Sequence, residues 1–348
     1  MTTILGLGLG KFKSVACADD PDTTAARFAT VHTDPADVRR LLEAERPGLV
    51  VFETCTIAGW VADTCAELGL DYAVANPMNE AWSWRKVKRK TDRDDALKLA
   101  RMAALGELPT VAMAPKADRE YRAAVRYRDG LVGRRTAAQN RIRATCQRHG
   151  ILLPPGHRAW TKQGLALVAA LARPLDDCGP EELWRGELAS ELEELAALTA
   201  LVEGVTRRLD ALGAADARVQ LLRTIPGVGP RTAEVVVAHL GDATRFPTAR
   251  QVSAYAGLVP RQFQSGETDR RGRITRRGPS LLRKALVEAA WLMTRYNAWA
   301  ARALQRISKG QKTRRKQALV AVARKLLVRC WAMLRHGSAW DESLAAAG

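Results

Sequence analysis

Residues 4–18 read ILGLGLGKFKSVACA, and the class of fold turns on this stretch. ILGLGLG at 4–10 and KFKSVACA at 11–18 form two strands around a turn, because apolar residues recur at period two. ARFATVHT at 26–33 predicts a third strand. DPADVRRLLEAE at 34–45 starts with Asp and spaces its apolar positions as a helix does, and GLVVFET at 48–54 is a short buried strand. IAGWVADTCAELG at 57–69 is a helix ending in Gly, DYAVAN at 71–76 another strand, and a further helix covers about residues 91–105. Three consecutive strands followed by alternating helix and strand describe an α/β domain with a mixed sheet.

Beyond this domain the pattern turns helical. Residues 115–150 and 181–212 are long and charged, and in the second of these Leu188, Leu192, Leu195, Val202, Val205, Leu209 and Leu212 recur at three- and four-residue steps. That spacing fits a coiled-coil or helical-hairpin seam, serving either as a pairing arm or as a simple packed helix pair. A mostly helical unit starts near Asp216. The expected division is 1–110, a connector 111–215, and 216–348, in keeping with a length of 348 residues.

The chain carries 55 Lys+Arg and 37 Asp+Glu, a formal charge of +18. Residues 1–84 hold six basic and twelve acidic side chains, a net of −6, which leaves +24 on residues 85–348. The excess falls in three clusters: RKVKRK at 85–90, residues 261–283, and residues 302–329, the last with ten Lys/Arg and no Asp or Glu. Such a balance is usual for chains that neutralise phosphates, and a solvated surface is the plainer reading of any one cluster. Within the clusters Arg273, Arg276, Arg277, Lys312, Arg314, Arg315 and Lys316 are the candidate phosphate contacts. No run reaches the roughly 18 apolar residues of a membrane span, and no export signal is evident, so a cytoplasmic protein without a membrane partner is expected. The six scattered cysteines include no CxxC pair and are expected to be buried thiols.

Three motifs carry chemistry. TIPGVGPRTA at 224–233 puts Gly227 and Gly229 in a tight turn before an apolar helix, with Arg231 in its first turn. Exposed backbone N–H groups at a helix start suit a DNA phosphate, as in a helix-hairpin-helix, or simply join two helices. In KTDRDDALKLAR at 90–101, Asp92 and Asp95 lie three apart and share one helix face. Capping by Asp92 is the structural alternative. Glu53, ending the buried strand LVVFE, would add a third carboxylate and make an oxygen-rich site for Mg²⁺. Finally, Ser265 in QSG at 264–266 precedes an arginine-rich run; it could attack a phosphodiester, or merely bond phosphate from a loop.

The order GLGLGKFKSVA, VVFET, NP, KTDRDDALKLAR, LRTIPGVGPRTA, SAYAGLVP, QSG, GRITRRGPSLLRKALVEAAW and ALVAVARKLL resembles the DEDD transposases of the IS one-ten family, which include the Piv-type DNA invertases. The resemblance covers nearly the whole chain. It implies a RuvC-like (RNase H-like) nuclease domain, a coiled-coil connector, and a C-terminal transposase domain with a catalytic serine. It also implies a dimer or tetramer that recombines an insertion sequence with donor and target DNA, guided by a bridge RNA. Carried over by position, the metal-binding acids are Glu53, Asp92 and Asp95, with Asp94 at the variable place between them. The serine is Ser265 rather than Ser253. Where the family has its first aspartate, this chain has Gly8. Either this is a diverged or inactivated copy or another acid substitutes, and Asp19 and Asp20, which come after the second strand, would have to reach across the sheet edge. Two other readings stay open, a non-catalytic nucleic-acid-binding relic and a metal-dependent junction resolvase that forms no covalent intermediate.

Overall fold

The leucine–glycine alternation at residues 4–8 builds the central strand of a six-stranded sheet. A computed structural model describes residues 3–23, 25–77, 91–265 and 268–341. The basic run at 85–90 and Gly266 of the QSG motif lie outside the described residues. The chain divides into two compact units, Met1–Arg119 and Glu120–Gly348.

In the first unit β1 (Ile4–Gly8), β2 (Lys13–Asp19), β3 (Ala26–His32), β4 (Leu49–Glu53), β5 (Tyr72–Ala75) and β6 (Thr110–Val111) are ordered β3-β2-β1-β4-β5-β6. β1 runs parallel to β4, and β4 to β5, while β2, β3 and β6 are antiparallel to their neighbours. The mixed sheet predicted from the sequence is therefore present. β1 ends two residues sooner than its apolar pattern, because Gly10 belongs to the turn: a Cβ there would lie 2.2 Å from the Lys13 carbonyl oxygen.

The two faces of the sheet are covered differently. Leu5, Leu7, Val50 and Phe52 pack with Val38 and Leu42 of α1 (Pro35–Glu45) and Val61 and Cys65 of α2 (Ala58–Glu67). Asp34 caps α1, accepting from the N–H groups of Ala36 and Asp37. On the other face Val51, Ala75, Val15 and Cys17 meet Ala96, Leu99 and Ala100 of α3 (Asp92–Ala104). A Cβ at Gly6 would fall 2.1 Å from the Ala96 carbonyl oxygen, so the helix backbone rests on the strand backbone at this glycine. The glycines weaken β1 as an isolated strand, and here one of them admits a helix.

The second unit, from Glu120 on, contains all but the first four residues of α4 (Lys116–Arg148), and α5 (Lys162–Ala169), α6 (Leu183–Ala215), α7 (Ala217–Arg223), α8 (Pro230–Leu240), α9 (Ala249–Tyr255), β7 (Pro260–Ser265), β8 (Thr268–Ile274), α10 (Ser280–Tyr296), α11 (Ala298–Ser308) and α12 (Arg315–His336). It has two cores. Leu131, Ile142 and Cys146 of α4 meet Leu188, Leu195, Leu198 and Val202 of α6 and Val168 of α5. Leu188, Leu195 and Val202 of the predicted seam lie here, with Leu192 and Val205 only partly buried beside it, whereas Leu209 packs in the other core and Leu212 is exposed. The larger core joins α7 to α12 through Leu222, Val236, Leu240, Leu286, Met293, Leu326 and Leu327. One element departs from the mostly helical expectation: β7 and β8 pair antiparallel as a hairpin, with Ser265 opposite Thr268. Ser265 thus ends a strand in place of the expected loop.

No helix among the described residues is long and apolar enough to cross a membrane. All six cysteines are free; four are buried, whereas Cys55 is exposed and Cys178 half-buried, contrary to a uniformly buried set. Burial pushes the thiols of Cys65 and Cys330 up to about 12.

Candidate functional site

Parallel pairing of β1 with β4 sets Leu7 beside Phe52, so Gly8 and Glu53 end neighbouring strands at the same edge. Leu5, Leu7, Val50 and Phe52 face α1 and α2, and alternation therefore turns position 8 and Glu53 toward α3. The first turn of α3 lies over that edge: a Cβ at Gly8 would be 3.4 Å from the Asp92 carbonyl oxygen and 3.9 Å from the Ala96 Cβ. Sheet edge and helix start thus bring Gly8, Glu53, Asp92 and Asp95 to one end of one face.

Helix capping divides the acids by role. Thr91, not Asp92, is the cap: its hydroxyl accepts from the Asp94 N–H and donates to the Asp94 carboxylate at 2.6 Å. Asp94 is committed to the cap, Asp92 is exposed, and Asp95 and Glu53 are half-buried. Three carboxylates in the first turn also suit the positive end of the helix dipole. Mg²⁺ requires several oxygen donors in near-octahedral array. Among the described residues no three His, Cys, Asp or Glu side chains are grouped so as to hold a metal ion. With no oxygen at position 8, the residues present do not fit a divalent cation as they stand.

Neither nearby aspartate replaces the missing one. Asp19 pairs in register with Ile4, at the opposite end of β1, about 13 Å from Gly8 at the rise of a strand. It is buried and faces Arg101 at 3.8 Å. Asp20 accepts from the Asp22 N–H and the Thr23 hydroxyl, and these bonds hold its carboxyl below the usual range.

In the second unit Ser265 sits at the exposed end of β7, whereas Ser253 is fully buried in α9 and donates to the Ala249 carbonyl at 2.7 Å. Only the first is placed to meet a large substrate. Behind the hairpin, Gly257 (φ +66°) and Gly278 (φ +78°) interlock: a Cβ on Gly257 would lie 2.1 Å from the Arg277 carbonyl oxygen, and one on Gly278 1.9 Å from that of Tyr255. Arg283 of α10 donates to the carbonyls of Ala256, Arg277 and Gly278, which pins the segment carrying Arg276 and Arg277.

The third basic cluster meets the second here. A groove of about 860 Å³ is lined by Arg273, Ile274 and Arg276 from one cluster and Lys316, Gln317 and Val320 from the other. Lys312 and Arg314 lie in a short 3₁₀ turn immediately before α12, whose first turn carries Arg315 and Lys316 and no acid. Cations at a helix N-terminus oppose the dipole, so together they form an anion-attracting field.

The glycine-rich turn behaves otherwise. It joins α7 to α8, with Gly227 at φ +93° and its would-be Cβ 2.7 Å from the Met293 side chain, and Gly229 as the cap of α8. Arg231 pairs with Asp210 and with Glu234, the latter at 2.9 Å. Its charge is met by carboxylates, and the structure does not bring it to the groove. Arg283 ends the second basic cluster but is not singled out by the sequence reading, and its signal was its place four residues after Pro279 at the head of an amphipathic helix.

Residues 5–150 match a DEDD transposase model of IS110 type, and residues 219–306 match the model described as the transposase IS116/IS110/IS902 family. A probable family 20 transposase of Pseudomonas aeruginosa is 33% identical over 83% of this chain and 83% of its own length. The chain belongs to the IS116/IS110/IS902 transposase family. This transposase is also 27% identical to the transposase of insertion sequence element IS1328 from Yersinia enterocolitica, over 98% of this chain and 99% of that one. A pilin gene-inverting protein of Moraxella bovis is 35% identical across 36% of this chain and 40% of its own. The transposase is therefore an enzyme of DNA transposition.

Proposed function

We propose that this transposase cuts and rejoins insertion-sequence DNA through Ser265, guided by an element-encoded bridge RNA that pairs with both donor and target, and works as a dimer or tetramer. The observation that carries the reading is the exposed Ser265 on a hairpin whose opposite strand leads into the cationic groove. Ser265 Oγ attacks phosphorus, its proton passes to solvent, and the departing strand leaves with its own hydroxyl. The phosphoserine is resolved when the hydroxyl of the partner strand attacks in turn and restores the serine. Arg276 and Arg277 neutralise charge on the phosphoryl oxygens, and Lys312, Arg314, Arg315 and Lys316 hold flanking phosphates. The RuvC-like edge with Glu53, Asp92 and Asp95 is the family's place for Mg²⁺. Gly8 leaves this copy able to bind its nucleic acids but poor at strand exchange.

The test is a covalent adduct. A Gly8→Asp chain, incubated with donor and target plasmids and RNA transcribed from the non-coding flank of its gene, should yield a detergent-resistant protein–DNA complex. Ser265→Ala should abolish it without changing RNA retention. An adduct that survives this change but disappears in Ser253→Ala assigns the chemistry to the other serine. The unfilled carboxylate at position 8 favours one second reading, a nucleic-acid-binding protein without cleavage. Metal-dependent cutting with no adduct would instead mark a resolvase.

A further inference from the structure

The groove between β8 and the start of α12 has more than phosphate-binding cations. Its floor includes the apolar side chains of Ile274 and Val320, and Arg273, Arg276 and Lys316 line it with no carboxylate among the lining residues. At one rim Phe263 of β7 is 63% exposed; its ring lies over Gly272, with Cε2 3.7 Å from where a Cβ of that residue would be. Trp291 of α10 is 46% exposed and carries the Arg315 guanidinium 5.1 Å from its ring centroid. Arg315 directly precedes Lys316 of the groove.

Among the exposed rings, Phe263 stands against a lining residue of the groove and Trp291 against the arginine that precedes Lys316, so ring faces and cations are offered together there. Duplex nucleic acid offers phosphates to such a groove but keeps its base faces stacked inside. An unpaired strand offers both, phosphates to the arginines and lysine and free base faces to the rings. We infer that this groove binds an unpaired nucleic-acid strand, with a base stacked on Phe263 and another on Trp291, the latter displacing or sandwiching under Arg315. The inference rests on the nucleic-acid-binding reading above and adds the form of the strand.

The experiment is fluorescence anisotropy on the full chain, with a labelled single-stranded 20-mer without self-complementarity and with its duplex. The wild type should bind both. Phe263→Ala and Trp291→Ala should each weaken single-strand binding about tenfold while changing duplex binding less than twofold, and Trp291→Phe should restore most of the loss. Both side chains are exposed, so the variants should melt with the parent. Equal losses on both forms, or none on the single strand, overturn the inference while sparing the underlying reading; a wild type that binds neither form overturns both. An unchanged single-strand affinity with a smaller oligomer for Trp291→Ala would assign the ring to a contact between copies and also overturn it.

Discussion

A Cβ at Gly6 would lie 2.1 Å from the Ala96 carbonyl oxygen, whereas one at Gly8 would meet nothing nearer than the Asp92 carbonyl oxygen at 3.4 Å. Position 8 thus has room for a side chain and aims it at the first turn of α3. Gly8→Asp should fold, and it should gain a rise in melting temperature on adding Mg²⁺ that the Gly8 chain lacks, because a fourth carboxylate completes the donor set. Without metal the variant should melt lower than its parent, since the new charge repels Glu53 and Asp92. A melting curve indifferent to Mg²⁺ would remove the edge as a metal site. Glu234 supplies a second test. It is 2% exposed, and burial pushes its carboxyl from 4.5 up to about 7, against the opposing pull of Arg231. Between pH 4.5 and 7 the unfolded chain gives up this proton while the folded chain keeps it, so the contribution to stability falls across that window and is flat above it. Melting temperature measured for Glu234→Gln relative to the parent should therefore climb from pH 4.5 to pH 7. A constant difference would mean that Arg231 holds Glu234 ionised in the fold.

At the scale of elements, α3 on β1 is the contact that positions the acids. Gly6→Ala forces the helix off the strand and should cost about 1–3 kcal/mol, the usual range for overpacking, read as a lower denaturation midpoint. This contact also shows how far the sequence could be read. The strands, α1, α2 and α3 were legible because their periodicity is local: alternation in 4–8, an Asp cap at 34, acids opening the helix at 92. The reason for Gly6 was not legible, since it lies in a helix ninety residues away. The β7–β8 hairpin was missed because its strands are exposed throughout β7 and rich in Gln and Arg, so they lack a buried face to alternate. Gly266-Glu267 between two runs of similar length was the available signal. The cap moved from Asp92 to Thr91 for a similar reason: both residue types cap well, and only the backbone geometry distinguishes them. Arg231 looked like a phosphate contact because one carboxylate partner, Asp210, comes from a different helix, although Glu234 three residues on was a local sign that its charge is met.

Across the whole molecule the charge is divided between the two units. Residues 1–119 carry 16 basic and 17 acidic side chains, and residues 120–348 carry 39 and 20, so the entire excess belongs to the second unit. Surface cations spread evenly would give weak, diffuse attraction; here Arg273, Arg276 and Lys316 converge on one groove, with Lys312, Arg314 and Arg315 leading into it. Binding to DNA should therefore be governed by counterion release. If about 6–10 phosphates are neutralised, log affinity should fall against log salt with a slope near −0.9 for each. The double change Arg273→Ala and Lys316→Ala should make that slope shallower by about two contacts, whatever the DNA sequence, because phosphate contacts carry no sequence information. Arg231→Ala is the control: its guanidinium is already held by Asp210 and Glu234, so it should lower stability and leave the slope in place. Should the slope instead change with Arg231 and not with Arg273 and Lys316, the glycine-rich turn, and not the groove, would be where this transposase holds the DNA backbone.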